Sequence, residues 1–169
     1  MKIMVETSAR HVHLTQEHLD ILFGEGYALT PKKDLSQPGQ FACVEKVEVV
    51  GPKGSLKMSI LGPVRPETQI EISKTETRTL GIDAPLRMSA DLEGTPGCKI
   101  IGPKGEITVD KGVIVAKRHA HFTPDDAKVF GVTDGQAIQI KLDYNGRSLI
   151  FGDVIARVSK TAGLAVHID

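Results

Sequence analysis

Short apolar runs separated by glycine and proline turns dominate the hydrophobic pattern of the chain. Val44, Val47 and Val49 lead to a Gly-Pro-Lys-Gly turn at 51–54, and an apolar segment resumes over 56–61. The same four residues return at 102–105, again between apolar segments. This arrangement predicts β-hairpins.

Further strands are predicted where short apolar segments lie between turn residues. They cover residues 69–73, 112–117, 137–142, 149–158 and 164–168. An Asp-Tyr-Asn-Gly sequence at 143–146 supplies a hairpin turn. A stretch with several prolines and glycines at about 24–43, clearest from Tyr27 to Phe41, is predicted to be an irregular excursion.

Two threonines are each followed by the sequence signals of a short helix. Thr123 is a predicted N-cap, with Pro124 at the first helical position, Asp126 to complete a capping box and Gly131 as the stop. A similar pattern runs from Thr15 to a glycine at 24. About ten short strands and two small helices favour a mostly β fold with a pair of small β-barrels.

The charge balance narrows the choice of partners. The chain has 21 Lys+Arg and 21 Asp+Glu in 169 residues, so its formal net charge is +0. Binders of nucleic acid or of anionic membranes need a basic surplus. We therefore expect a small or neutral partner, with no nucleic acid and no membrane.

Cysteine usage and apolar run length indicate a compartment. Cys43 and Cys98 form no paired motif, which argues against a disulfide framework and against a thiolate zinc knuckle. No apolar run approaches the length of a membrane span or of a signal-peptide core. The expected location is the cytoplasm.

Histidine pairs carry the strongest chemical signal. The sequence Arg-His-Val-His-Leu-Thr at 10–15 is echoed by Arg-His-Ala-His-Phe-Thr at 118–123, so the chain resembles two related halves. On a strand, residues i and i+2 point to the same face. His11 with His13, and His119 with His121, can therefore each present two imidazoles to one metal ion.

A catalytic zinc ion is usually bound by three protein ligands and keeps one position open. Each histidine pair therefore needs a third ligand. His167 and Glu71 are the candidates, because each lies in a strand-like segment with apolar neighbours. Spacing does not choose between them.

Three cationic residues are candidates for binding phosphate. Lys53, and Lys104 in the second copy, lie in the Gly-Pro-Lys-Gly turns, which lack the Gly-Lys-Ser/Thr ending of a phosphate-binding P-loop. Arg65 lies in a proline-flanked turn, where its guanidinium would be placed in advance to hold an oxyanion, phosphate above all.

A series of motifs spans nearly the whole chain in a fixed order. They are S-A-R-H-V-H-L-T, K-D-L-S-Q-P-G-Q-F, L-G-P-V-R, Q-I-E-I-S-K-T, G-V-I-V-A-K-R-H-A-H-F-T-P-D-D-A and the terminal V-H-I-D. Together they resemble the phosphate propanoyltransferase family, the PduL-type phosphotransacylases of bacterial microcompartments. The resemblance implies two interleaved small β-barrels capped by short α-helices, one from residues 1–9 with 117–169 and the other from 10–116.

The resemblance also implies ligands for two zinc ions per chain, at one active site between the barrels. One zinc would be bound by His11, His13 and Glu71, and the other by His119, His121 and His167. Arg65 would contact phosphate. Coenzyme A would lie along Thr7, Ser8 and Ala9 and beside Lys53.

The implied reaction is reversible acyl transfer, in which acyl-CoA and phosphate give acyl phosphate and coenzyme A. Propanoyl-CoA or acetyl-CoA is the expected substrate. No cysteine or serine constellation suggests an acyl-enzyme, so direct attack by phosphate on the thioester is the simpler hypothesis. The alternatives are a dinuclear zinc thioester hydrolase and a non-catalytic, zinc-stabilised microcompartment module.

The same resemblance leads us to expect a homodimer, with microcompartment shell or cargo proteins as partners and the microcompartment lumen as a second location. Two departures from the family bear on these expectations. The family's microcompartment members usually carry an amphipathic targeting helix ahead of the barrel, whereas here the first predicted strand begins at once. The family also usually continues beyond the His-Ile-Asp motif with a further coenzyme A contact, whereas this sequence extends to Asp169.

Overall fold

The computed structural model describes residues 2–168 and is mostly β, with 44% strand and 12% helix in two curled half-barrel sheets. The predicted fold class is confirmed. The strands are β1 (Met4–Thr7), β2 (His11–His13), β3 (Pro31–Asp34), β4 (Phe41–Val50), β5 (Ser55–Gly62), β6 (Gln69–Glu71), β7 (Leu86–Arg87), β8 (Cys98–Ile101), β9 (Glu106–Val109), β10 (Val113–Ala116), β11 (His119–Phe122), β12 (Ala137–Tyr144), β13 (Arg147–Val158) and β14 (Ala165–Ile168). The helices are α1 (Gln16–Phe23), α2 (Glu76–Leu80) and α3 (Pro124–Phe130).

Both predicted helices are confirmed with their caps. The Thr15 side chain accepts the His18 N–H at the start of α1. Thr123 and Asp126 form the predicted capping box at the start of α3. The third helix, α2, is one short turn that the hydrophobic pattern does not reveal.

The chain divides into two compact units, which we describe separately. The first comprises Met1–Ser8, Ser36–Pro38 and Lys117–Asp169, and the second comprises Ala9–Leu35 and Gly39–Ala116. Met1 and Asp169 lie outside the described residues. That the sheets close as barrels over 1–9 with 117–169 and over 10–116 stays a prediction.

The first unit is a five-stranded sheet in the order β1-β14-β11-β13-β12. β1 pairs with β14 in parallel, and β14 pairs with β11 in antiparallel fashion, so the strand with the second His-x-His pair lies in the middle of the sheet. Phe122, Val154 and Val166 are almost fully buried on its inner face. Helix α3 adds Ala127 to this core.

The second unit follows the strand order β7-β10-β6-β2-β5-β4-β8-β9, with β3 paired to β4. Its core is aliphatic, as expected for a chain with 4% aromatic residues. Met58, Ile60 and Ile70 from the sheet pack with Leu19 and Leu22 of α1. The short strand β2 lies between β5 and β6 and is buried along its whole length.

The predicted irregular excursion at about 24–43 is partly wrong, because it contains β3 and the start of β4. Proline removes a backbone donor, which is the usual reason to exclude a strand. Here Pro31 is the first residue of β3, and β3 lies beside the main strand order, where the missing donor interrupts no central ladder.

Within residues 2–168, no helix combines the length and the apolar character needed to cross a membrane.

Candidate metal centres and active site

The first cluster of candidate ligands is built by two neighbouring strands. β2 places His11 and His13 on one face, and the antiparallel partner β6 places Glu71 directly opposite His11. All three side chains are buried. One ligand atom from each lies within 4.8 Å of the others, so the three converge. We call His11, His13 and Glu71 triad A.

Backbone carbonyls set the orientation of both imidazoles in triad A. Nδ1 of His11 lies 2.8 Å from the carbonyl oxygen of Ala9, and Nδ1 of His13 lies 3.2 Å from that of Leu61. A carbonyl oxygen only accepts, so each ring carries its proton on Nδ1 and, when neutral, has a lone pair on Nε2. Nε2 of His11 lies 3.4 Å from Oε2 of Glu71.

The electrostatics of triad A favour cation binding. Burial raises the pKa of Glu71, but the His11 charge and hydrogen bond, with His13 and Arg65, outweigh it and lower the pKa to about 2. Burial, followed by the charges of His11 and Arg65, lowers the pKa of His13 to about 3. Burial lowers the pKa of His11, yet Glu71 reverses the balance and raises it. The buried Glu71 carboxylate is therefore ionised, and it favours positive charge at its neighbour His11.

The second cluster repeats this construction in the first unit. β11 places His119 and His121 on one face, and antiparallel β14 places His167 directly opposite His119. The ring centroids of the three lie 4.8, 5.1 and 5.0 Å apart. One ligand atom from each lies within 4.8 Å of the others. We call these three residues triad B.

The rings of triad B are also oriented by hydrogen bonds. Nδ1 of His119 lies 2.8 Å from the carbonyl oxygen of Lys117. Nε2 of His167 lies 3.2 Å from Oε2 of Glu6 and 3.1 Å from the Ser36 hydroxyl. Burial, followed by the charges of His119 and His167, lowers the pKa of His121 to about 3, which keeps that imidazole neutral at physiological pH.

Both triads fit a borderline cation such as zinc. Three nitrogen or carboxylate donors converge, which is the donor set of zinc sites that retain an open position. The carbonyl contacts of His11, His13 and His119 are of the kind that fixes the tautomer of imidazoles in metal sites. Sequence spacing does not assign a third candidate ligand to each histidine pair. The strand register brings Glu71 opposite His11 and His167 opposite His119.

Arg65 lies within electrostatic reach of triad A, since its charge lowers the pKa values of His13 and Glu71. Its backbone N–H donates to the carbonyl oxygen of Leu14 over 2.8 Å, and its Nη1 donates to the Ser89 hydroxyl over 3.1 Å. The guanidinium is therefore anchored beside a candidate metal centre, as an oxyanion-binding group would be.

The predicted coenzyme A contacts lie at two places. Thr7 ends β1, the Ser8 N–H donates to the carbonyl oxygen of Ile168 over 2.6 Å, and the Ala9 carbonyl accepts from His11. Lys53 lies exposed in the β4–β5 turn, where its stem passes over Gly81. Lys53 precedes Ser59, the partner of His11 in β5, by six residues.

Four polar residues that contact candidate ligands or Arg65 are not predicted by the sequence analysis. Glu6 and Ser36 contact His167, while Gln69 and Ser89 contact Glu71 and Arg65. A signal existed for Gln69, which precedes Glu71 by two residues and so shares its strand face, as His11 and His13 do. The other three come from segments that are distant in sequence.

Two convergent triads of candidate metal ligands, with an arginine beside one of them, are the arrangement expected of the class of metal-dependent enzymes that act on anionic substrates. Comparison with known proteins narrows this class. The family model of phosphate propanoyltransferase matches residues 4–169. The chain therefore belongs to the phosphate propanoyltransferase family, and this membership supports a phosphotransacylase function.

Individual relatives agree with the family model. The chain is 52% identical over 168 residues to a phosphate propanoyltransferase of Thermotoga maritima, covering 99% of this chain and 80% of the relative. It is 54% identical to that of Clostridioides difficile, with the same coverage. It is 49% identical over 168 residues to that of Citrobacter rodentium, again covering 99% and 80%.

Proposed function

We propose that this chain is a zinc-dependent phosphate acyltransferase that moves a propanoyl or an acetyl group between coenzyme A and phosphate. The observation that carries the proposal is the convergence of three donors in each of two triads, with Arg65 beside triad A. Family membership supplies the acyl-CoA and phosphate substrates.

The proposed zinc ligands are His11, His13 and Glu71 in triad A and His119, His121 and His167 in triad B. Bound zinc supplies Lewis-acid charge, which favours a thiolate leaving group and neutralises phosphate. The chain's own contribution is orientation, because the carbonyls of Ala9 and Lys117 hold each first histidine in the ligating tautomer.

Arg65 is the proposed phosphate-binding residue. Its guanidinium presents several N–H donors in a plane, which suits two oxygens of one phosphate. The Ser89 hydroxyl accepts from Nη1 and limits the rotation of the side chain. Holding phosphate against the thioester contributes up to about 7 to 11 kcal/mol to lowering the barrier in well-oriented cases.

Phosphate is the proposed nucleophile. One of its oxygens forms a bond to the thioester carbonyl carbon, the carbon–sulfur bond breaks, and coenzyme A leaves as the thiolate. Neither cysteine is suited to form an acyl-enzyme, since burial raises the pKa of Cys43 to about 11 and that of Cys98 to about 12. Both are buried and protonated at neutral pH.

Coenzyme A is proposed to lie along Thr7, Ser8 and Ala9, with Lys53 as a further contact. Since the Ser8 N–H donates to Ile168 and the Ala9 carbonyl accepts from His11, the side chains of Thr7 and Ser8 are the groups proposed to contact the ligand. Lys53 suits a phosphate of coenzyme A as an exposed point charge. The proposal also includes a homodimer, which a native mass measurement tests. Microcompartment shell or cargo proteins are the proposed partners.

Thiol release from propanoyl-CoA and acetyl-CoA, with and without phosphate, tests the proposed function. The expected result is release that needs phosphate and stops when a chelator is added. Equal release without phosphate would establish the thioester hydrolase instead. Absence of release from either thioester by the zinc-loaded protein would favour the non-catalytic, zinc-stabilised module.

A further inference from the structure

Gln69 is a buried residue of β6 that the proposed reaction leaves without a role. Its side chain is 1% exposed, and in the antiparallel β2–β6 pair it lies opposite His13, as Glu71 lies opposite His11. Its Nε2 donates to Oε1 of Glu71 over 2.6 Å and to the Ser89 hydroxyl over 2.9 Å. Gln69 thus touches the carboxylate of triad A directly.

The backbone fixes the orientation of the Gln69 amide. Its Oε1 accepts the N–H of Ala90 over 2.7 Å, and a backbone N–H can only donate. A flipped amide would turn its NH₂ group against that N–H, so the NH₂ must face Glu71. The backbone N–H of Ala90, which follows β7, therefore fixes the direction of the Gln69 NH₂ group independently of the Glu71 carboxylate.

The Glu71 carboxylate consequently has two different oxygens. Oε1 accepts from Gln69, while Oε2 faces Nε2 of His11 at 3.4 Å. Outer hydrogen bonds of this kind orient metal-binding side chains, and their loss typically weakens metal affinity by about 10- to 100-fold.

We propose that Gln69 is a positioning residue that occupies Oε1 of Glu71 and leaves Oε2 as the single carboxylate oxygen for the metal ion of triad A. The inference rests on the proposed zinc site. Ser89 extends the network, because its hydroxyl oxygen accepts from both Gln69 and Arg65. The Gln69 amide therefore connects the carboxylate ligand to the segment that also anchors the arginine.

The test measures zinc affinity at triad A by competition with a chromogenic chelator. The full chain carrying His121→Ala is the parent, so that triad B does not dominate the signal. Gln69→Met removes the amide at similar volume, and Gln69→Leu removes the same donor to Glu71 with a second apolar side chain that adds no charge beside the carboxylate. Gln37→Met is the matched control, since it removes a buried amide that pairs with the backbone of Gly163.

We expect both Gln69 variants to bind zinc about 10- to 100-fold more weakly than the parent, with an altered cobalt absorption spectrum. Gln37→Met should leave the affinity unchanged. In a Glu71→Ala background, Gln69→Met should cost no further affinity, because the carboxylate it positions is gone. If Gln69 had only a structural role, Gln69→Met would lower thermal stability equally with and without Glu71. The effects of the two substitutions on zinc affinity would then be additive.

Unchanged zinc affinity in both Gln69 variants would overturn the role of Gln69. An equal loss of zinc affinity with and without Glu71 would do the same, and in both cases the proposed metal centre would stand. A parent that binds no zinc would overturn the proposed metal centre, and this inference with it. The two failures are therefore distinguished by the parent measurement.

Discussion

Nδ1 of His119 lies 2.8 Å from the carbonyl oxygen of Lys117, two residues earlier in the chain. His11 makes the same contact with Ala9 at the same distance. Since a carbonyl oxygen accepts only, both rings are held with the proton on Nδ1. The repeated Arg-His-x-His sequence thus builds the same local geometry twice, once in each unit.

Metal content should separate the two triads. Wild-type protein is expected to bind one zinc ion per triad, and His11→Ala or His119→Ala should each lose one of them. Elemental analysis after dialysis gives the stoichiometry. His18→Ala is the matched control, because His18 contacts the Thr68 hydroxyl and belongs to neither triad. Unchanged zinc content in both triad variants would contradict the ligand assignment.

Arg65→Ala should raise the apparent KM for phosphate by at least 10-fold, since it removes a charge-assisted contact worth more than about 1.4 kcal/mol. Zinc content and the KM for acyl-CoA should change little. Initial rates at varied phosphate give the comparison. Arg147→Ala, at an exposed hairpin position, is the control. Parallel loss of zinc and of phosphate binding would show that Arg65 supports the metal centre rather than the anion.

Stability should depend on pH through Glu45, a buried carboxylate in β4. Burial raises its pKa, but hydrogen bonds from Thr30 and Tyr27 outweigh this, so the folded pKa lies below the ordinary value of 4.5. A lowered pKa stabilises the fold above the unfolded value, and this contribution disappears as pH falls through the folded one.

Glu45→Gln should therefore cost about 1 kcal/mol of unfolding free energy at pH 7, and the cost should shrink below about pH 4.5. Denaturant unfolding with a chelator present removes any contribution from metal. Glu48→Gln, at an exposed position of the same strand, should show a smaller effect. A cost that stays constant down to pH 3 would contradict the assignment to the charged form.

Glycine 97 should be intolerant of a side chain. An added Cβ would overlap the carbonyl oxygen of Val109 and the backbone of Asp110, where β8 and β9 pair. We expect Gly97→Ala to destabilise the protein by about 1 to 3 kcal/mol. Gly152→Ala is the matched control, because an added Cβ there meets nothing within 4 Å. Equal thermal stability of the two variants would contradict the close packing.

The parts of the fold that could be predicted from sequence depend on local signals. The capping box of Thr123 and Asp126, the Gly-Pro-Lys-Gly hairpins and the His-x-His strands each follow from a few adjacent residues. Strand β3 is not evident from the sequence, because a proline such as Pro31 argues against a strand unless that strand lies at an edge.

The candidate ligands also fall into those that local sequence reveals and those that depend on the fold. The histidine pairs are visible from spacing, whereas the third donors depend on strand register, which local sequence leaves open. Glu71 meets His11 only because β6 pairs with β2 at that register, and Ser89 reaches Arg65 from 24 residues away. Such contacts are made by topology, so spacing alone could not assign them.

The most direct test is the formation of propanoyl phosphate from propanoyl-CoA and phosphate by the zinc-loaded protein, trapped with hydroxylamine. Wild type should form the acyl phosphate in step with thiol release, and His11→Ala and His119→Ala should each reduce the rate by at least 100-fold. Thiol release without acyl phosphate, or full activity in both histidine variants, would contradict phosphate acyl transfer that depends on both triads.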